Sequence, residues 1–270
     1  MKKTIISCVL FLTAVTAFSQ TPMKTAAEAK LSASDLAVKI ADRILATTTY
    51  EFKNTKTGKT YKSVKNLPLD MNVKVACKYN NWHYTNGVTH IALMELADKT
   101  GAKKYDDYVL KNMNFVFNEG NLDFFKKQYE QAMKNEGWYG VRKLSWHMIF
   151  RGKRLDDNGP MGASLIDLQM KHPNNSFLNY INETAEHLNY GEPRLADGTI
   201  ARIWPHENTI WADDAFMAIS FLARMAKMTG DMSYINDAAN QVIKYHKYLW
   251  CPEKRILYHC YHTDTDEHGV

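Results

Sequence analysis
The stretch Thr209-Ile210-Trp211-Ala212-Asp213-Asp214-Ala215-Phe216-Met217 sets two adjacent carboxylates at the mouth of an apolar helix, behind a tryptophan. Just upstream, Arg202-Ile203-Trp204-Pro205-His206 is rigid, aromatic and cationic. Carboxylates beside aromatic rings and histidines suit sugar chemistry. Rings stack on the apolar faces of a sugar, and a carboxyl in a partly dry pocket can act as an acid. An Asp at a helix start is also an ordinary N-cap, favoured by the helix dipole. With a pair, one Asp can cap while its neighbour faces elsewhere.

Downstream, the helix expected from Asp213 to Met228 carries Phe216, Met217, Ile219, Phe221, Leu222 and Met225 nearly all round it. A helix apolar on all sides is buried on most of them. The next helix sets Ile235, Ala238, Ala239, Val242, His246 and Leu249 on one stripe, opposite Asn236, Asp237, Asn240, Lys244 and Lys247. That is one dry face and one wet face. The helix–Thr-Gly–helix unit around Thr229-Gly230 recurs at Thr100-Gly101, where a helix opened by Trp82-His83-Tyr84 runs to Lys99 and a second runs from about Lys103 to Phe117. A looser copy passes from Leu168 through His172-Pro173 and Phe177 into Ile181. Repeated inner–outer pairs predict an all-α fold, an (α/α) toroid in which inner helices ring an axis and outer helices cover them. Inner-helix N-termini then share one mouth.

A second acidic stretch falls at that mouth. Leu155-Asp156-Asp157-Asn158-Gly159-Pro160-Met161-Gly162 precedes an inner helix expected over Ala163–Met170. Asp-Asp-Asn-Gly is also a turn and cap sequence. Two paired-Asp stretches on two inner helices can nevertheless face one cavity.

Ahead of these, Asp35 to Leu45 reads as an amphipathic helix, residues 50–80 as a Lys-, Asn- and Thr-rich loop, and residues 119–154 as an insertion with one helix over Phe124–Met133. Trp138-Tyr139 and Trp146-His147 in that insertion suit either a pocket rim or loop packing. Residues 1–19 read as a signal peptide: Lys2-Lys3, an apolar run from Ile5 to Phe18, and the small-x-small site Ala17-Phe18-Ser19. A flexible tail over 20–34 and the toroid over 35–270 follow. The apolar run is shorter than the ~20 residues of a membrane span. The reading is an exported bacterial protein, periplasmic or secreted. The chain has 270 residues, 45% of them hydrophobic and 12% aromatic, enough for one large domain or two small ones. A net charge of +5 with no Lys/Arg block argues against nucleic acid. Cys77, Cys251 and Cys260 show no zinc spacing, and no metal or cofactor is indicated. Cys251 and Cys260 could bridge or stay as buried thiols.

These stretches together resemble the unsaturated glycuronyl and rhamnogalacturonyl hydrolases, glycoside hydrolase families 88 and 105, and family 105 more than 88. The carriers are Trp82 with Gly87, Asp156-Asp157-x-Gly-x-Met-Gly, Trp211-Ala-Asp-Asp-Ala-Phe-Met, the run Phe221-Leu-Ala-Arg-Met-Ala-Lys-Met-Thr-Gly-Asp, and Tyr245-His-Lys-Tyr-Leu-Trp followed by Leu257-Tyr-His259. The resemblance covers most of the chain after about residue 80. It implies an (α/α) six-hairpin barrel and oligosaccharide substrates that carry a 4,5-unsaturated uronic acid, as lyases leave on rhamnogalacturonan and pectin. It implies that one Asp protonates C4 of the vinyl ether and then, as base, helps water add at C5.

Carried onto this sequence, the acid/base Asp falls on Asp213 and the second Asp on the Asp156–Asp157 pair, with Asp157 favoured. The ring-contacting histidine falls on His259. Trp82 is then a stacking residue at the pocket floor or wall. Trp211 belongs to the motif, and His206 is a cavity residue by its nearness to Asp213. Family members continue with further hairpins and an Arg-x-Asn-Gly-Trp stretch that helps hold the substrate. This chain closes on Asp266-Glu267-His268-Gly269-Val270 with about four hairpins' worth of helix and reads as truncated. The alternatives are a non-catalytic glycan-binding toroid and an ordinary glycosidase with Asp157 and Asp213 flanking a saturated bond.

Overall fold
The structure is a computed structural model that describes residues 32–152 and 154–269. The expected signal peptide and most of the expected tail lie outside these residues. The chain divides into two compact units that meet in sequence between Asp42 and Arg43. Helix α1, Ala33–Thr47, begins two residues earlier than expected. Ser32 and Asp35 cap it reciprocally: Ser32 Oγ donates to Asp35 Oδ2 at 2.7 Å and accepts from Asp35 N at 3.1 Å. This box draws the end of the tail into the helix.

The expected loop over 50–80 holds a small antiparallel sheet, order β2-β1-β3, of β1 Phe52–Asn54, β2 Thr60–Tyr61 and β3 Val73–Val75. Phe52, Val73 and Val75 all point inward and are buried. Asn54 Oδ1 closes the turn by accepting from Lys56 N and Thr57 N, each at 3.0 Å. Strands of two or three residues carry too little alternation to stand out among so many polar residues.

Three helical hairpins follow. The first is α2 Tyr84–Thr100 with α3 Lys104–Val116. Helix α4, Glu119–Val141, kinks at Gly137 and packs on α3, and a short α5, Met148–Arg151, leads on. The second hairpin is α6 Leu155–Lys171 with α7 Asn175–Glu186, closed by a π-helical turn, His187–Gly191. The third is α8 Ala212–Thr229 with α9 Met232–Leu249. The two Thr-Gly turns stop their helices alike. Gly101 at φ 70° and Gly230 at φ 75° take left-handed caps and donate to Ala97 O at 2.8 Å and Ala226 O at 2.9 Å.

The inner helices α2, α6 and α8 pack side by side in that order, each covered by its own outer partner. Inner–outer pairing and an all-α class are therefore the architecture. Close approach between inner helices depends on missing side chains: a Cβ on Gly159 would lie 2.5 Å from Met217 O, and one on Gly162 would lie 2.8 Å from the Phe221 ring.

Three expectations need correction here. Helix α6 starts at Leu155, not at Ala163, so Asp156 and Asp157 sit in its first turn rather than before it. Buried packing of Met161, Leu165 and Ile166 outweighs the turn signal of Asn-Gly-Pro. On α9 the buried residues are Ala238, Gln241, Tyr245 and Leu249, while Val242 faces solvent. Gln241 and Tyr245 turn inward because they hold a loop: Gln241 Oε1 accepts from Ile200 N at 3.0 Å, and Tyr245 Oη donates to Ile200 O at 3.2 Å. Phe216 of α8 is half-exposed instead of buried.

After α9 come β5 Trp250–Cys251 with β6 Ile256–Leu257, then β7 Cys260–His262 and β8 Glu267–Gly269. Strand β4, Thr209–Trp211, pairs antiparallel with β7, which also pairs with β8. Cys77, Cys251 and Cys260 are free thiols.

Candidate active site
The β4–β7 ladder builds the first half of the site. Its register places Trp211 opposite Cys260, and Ala212 N donates to His259 O at 2.8 Å. The histidine before β7 is thereby delivered to the first turn of α8. His259 Nε2 lies 3.0 Å from Asp213 Oδ2, and the His259 and Trp211 rings meet edge-on at 4.9 Å. Trp211 Nε1 is fixed by donating to Thr209 Oγ1 at 3.1 Å. The Asp213 side chain is 44% exposed, so a ligand can reach it.

Asp214, one residue on, points the opposite way. It is buried and accepts from Arg202 Nε at 2.7 Å and Nη2 at 2.8 Å, a bidentate fork. Burial pushes its carboxyl up to about 6, against the pull of Arg202. The same guanidinium lies 4.5 Å over the Trp211 ring and reaches Asp156 Oδ1 at 3.5 Å. One arginine thus ties the two Asp-Asp stretches together across α6 and α8.

The second stretch repeats the plan. Asp156 is partly exposed at the cavity, while Asp157 is fully buried in a bidentate pair with Arg151, whose guanidinium lies 5.0 Å over Trp138. Burial pushes the Asp157 carboxyl upward and Arg151 opposes it. In each pair the first Asp faces out and the second is anchored by an arginine stacked on a tryptophan. A cavity of about 280 Å3 lies beside these groups, with Asp156, Arg202 and Asp214 in its walls together with Arg154 and Trp204.

Of the residues singled out from sequence, Asp213, Trp211 and His259 converge, and Asp156 meets Asp214 through Arg202. Asp157 does not reach the cavity, because Arg151 holds both its oxygens beneath α6. Trp82 is 1% exposed, so it offers no face to a sugar. Its Nε1 donates to Asp157 O at 2.7 Å and its ring packs on Tyr180 at 4.8 Å, which makes it the support under the second Asp pair. Trp146 is likewise buried in the aromatic core. His206 is exposed and sits 5.7 Å from His262, ring to ring. Arg202, Arg151 and Asp214 carry roles that the sequence reading left unassigned.

Three solved structures share the fold. A possible member of the GH105 family from Klebsiella pneumoniae subsp. pneumoniae MGH 78578 is 13% identical, with a TM-score of 0.55 over 93% of this chain and 57% of that chain. A family 105 glycoside hydrolase from C. acetobutylicum ATCC 824 is 22% identical, with a TM-score of 0.50 over 75% of this chain and 47% of that chain. An alpha-1,6-mannanase of family 76 from Salegentibacter sp. HEL1_6 is 14% identical, with a TM-score of 0.51 over 87% of this chain and 57% of that chain. The chain spans about half the length of these structures. No curated protein matches it. The sequence model of Glycosyl Hydrolase Family 88 matches residues 56–269, a span that holds both Asp-Asp stretches, Arg202 and His259, and the chain belongs to that family.

Proposed function
We propose that the protein removes a 4,5-unsaturated uronic acid from lyase-generated oligosaccharides of the pectin or rhamnogalacturonan type, with Asp213 as acid and base. The observation that carries the reading is the Asp213–His259 contact of 3.0 Å, at a helix mouth open to a ligand. The chemistry is hydration of the C4=C5 vinyl ether. The Asp213 carboxyl gives its proton to C4, and positive charge develops at C5, shared with the ring oxygen. Water adds at C5 and its proton passes to the Asp213 carboxylate. The resulting hemiketal opens and releases the next sugar. His259 orients the carboxyl, and Trp211 offers a ring edge beside it. Arg202 and Asp214 hold the first turn of α8 in place beneath. Family membership supports a glycoside hydrolase, and an exported enzyme, as Lys2-Lys3 and the apolar run after them suggest, meets such substrates where lyases make them.

The test is the ultraviolet absorbance of the unsaturated uronate on lyase-digested pectin. The protein should remove that absorbance, and Asp213→Asn should abolish the loss while leaving binding within about 3-fold. A saturated analogue cleaved at a comparable rate would instead favour an ordinary two-carboxylate glycosidase.

A further inference from the structure
The cavity beside α6 has two arginines in its wall. Arg202 is taken up by Asp214 and Asp156. Arg154 makes no ion pair among the described residues; its guanidinium instead lies 4.6 Å over the ring of Trp204. It stands at the N-cap of α6, yet its side chain makes no capping bond. Trp204 is 59% exposed, so a broad indole surface is left in water at the cavity rim. The opposite wall comes from the π-helical turn, which brings His187 against Glu192. His187 Nε2 and Glu192 Oε2 lie 2.9 Å apart as a largely buried pair. Such a turn is uncommon and recurs at functional positions.

These features share a ligand chemistry. A guanidinium held flat on an indole presents a fork to a planar oxyanion. The exposed indole is a platform for the apolar face of a pyranose. We propose that Arg154 and Trp204 form a second sugar subsite that takes the carboxylate of a uronate, with the His187–Glu192 pair in its wall. The cavity walls do not include Asp213 or His259. The subsite therefore holds an acidic sugar other than the one presented to Asp213. In this the inference rests on the reading of the substrate as a uronate-bearing oligosaccharide.

Binding of saturated trigalacturonate and its methyl ester, read by calorimetry on the whole protein, tests this. A saturated ligand has no vinyl ether, so the readout is independent of the hydration reaction and of whether that reading stands. The protein should bind the acid at least 10-fold more tightly than the ester. Arg154→Gln should weaken the acid on the order of 10-fold and leave the ester unchanged, and Arg154→Lys should keep only part of the preference, because lysine supplies the charge without the fork. Trp204→Leu should weaken both ligands alike. An acid preference that persists in Arg154→Gln overturns the proposal, as does a protein that binds neither ligand. Acetate that competes as well as free galacturonate also overturns it, since the site would then bind a bare anion and no sugar.

Discussion

Asp214 and Asp157 perform one task at two places: each is a buried carboxylate that locks an arginine onto a tryptophan and so fixes the outward-facing Asp beside it. A buried ion pair adds little net stability when intact, because desolvation offsets the attraction. Removing one partner is different, since the other charge is left buried alone. Asp214→Asn should therefore cost about 3–5 kcal/mol, read from the denaturant midpoint. The joint change of Arg202→Met with Asp214→Leu should recover most of it, and a double-mutant cycle gives the coupling directly. If both single changes cost under ~1 kcal/mol and add, Arg202 is not the tie that its geometry indicates. The paired acids were legible in the sequence because each stands at the start of an inner helix. Which member faces out was not. That choice belongs to Arg151 and Arg202, and Arg202 lies 12 residues from Asp214 along the chain, outside any local pattern. Trp82 went astray for a related reason: a tryptophan near acids reads alike whether it faces a sugar or, as here, props up a backbone carbonyl.

The inner helices owe their spacing to glycine. Gly159 meets the backbone of α8 at Met217, and a side chain there has nowhere to move because the obstacle is main chain. Gly159→Ala should cost about 1–3 kcal/mol through overpacking. It should also lower turnover, because it pushes apart the two helices that carry Asp156 and Asp214. Stability loss with unchanged turnover would show that the spacing of α6 and α8 does not set the site. At this scale the helices were legible from their apolar period and their Thr-Gly stops, and α2, α3 and α8 fall within a few residues of their expected ends. The strands were not legible. Those of the β4–β7–β8 ladder are three residues long each, and pairing 209–211 with 260–262 spans a separation that periodicity does not sense. Yet that ladder delivers His259 to Asp213. The outer helix α9 was misjudged by part of a turn, because Gln241 and Tyr245 count as polar or ambiguous in a pattern while in the fold they bind the loop beneath them.

Across the whole molecule two buried groups oppose each other as pH changes. His90 lies wholly inside the α2–α3 hairpin, with Asn112 Nδ2 3.3 Å from its Nε2 and, among the described residues, no hydrogen-bond partner for its Nδ1. Burial lowers its pKa from 6.5 to about 4. The unfolded chain therefore binds a proton at His90 between pH 6.5 and 4 that the folded chain refuses, and stability falls as pH drops through that window. The 2.5-unit difference amounts to ~3 kcal/mol. Asp214 acts in the other direction. Its folded value of about 6 stands above the unfolded 3.8, so between those values the folded chain binds the extra proton and stability rises as pH drops. That shift is also worth ~3 kcal/mol. Between pH 6.5 and 4 the two contributions nearly cancel. The compensation is exposed by removing one side. His90→Gln should make the protein gain stability from pH 7 to pH 5 relative to the parent, and Asp214→Asn should make it lose stability over the same interval. Denaturant midpoints of the three proteins at pH 7 and pH 5 decide the matter. If both variants move in the same direction relative to the parent, the two groups are not the opposed pair that their burial makes them.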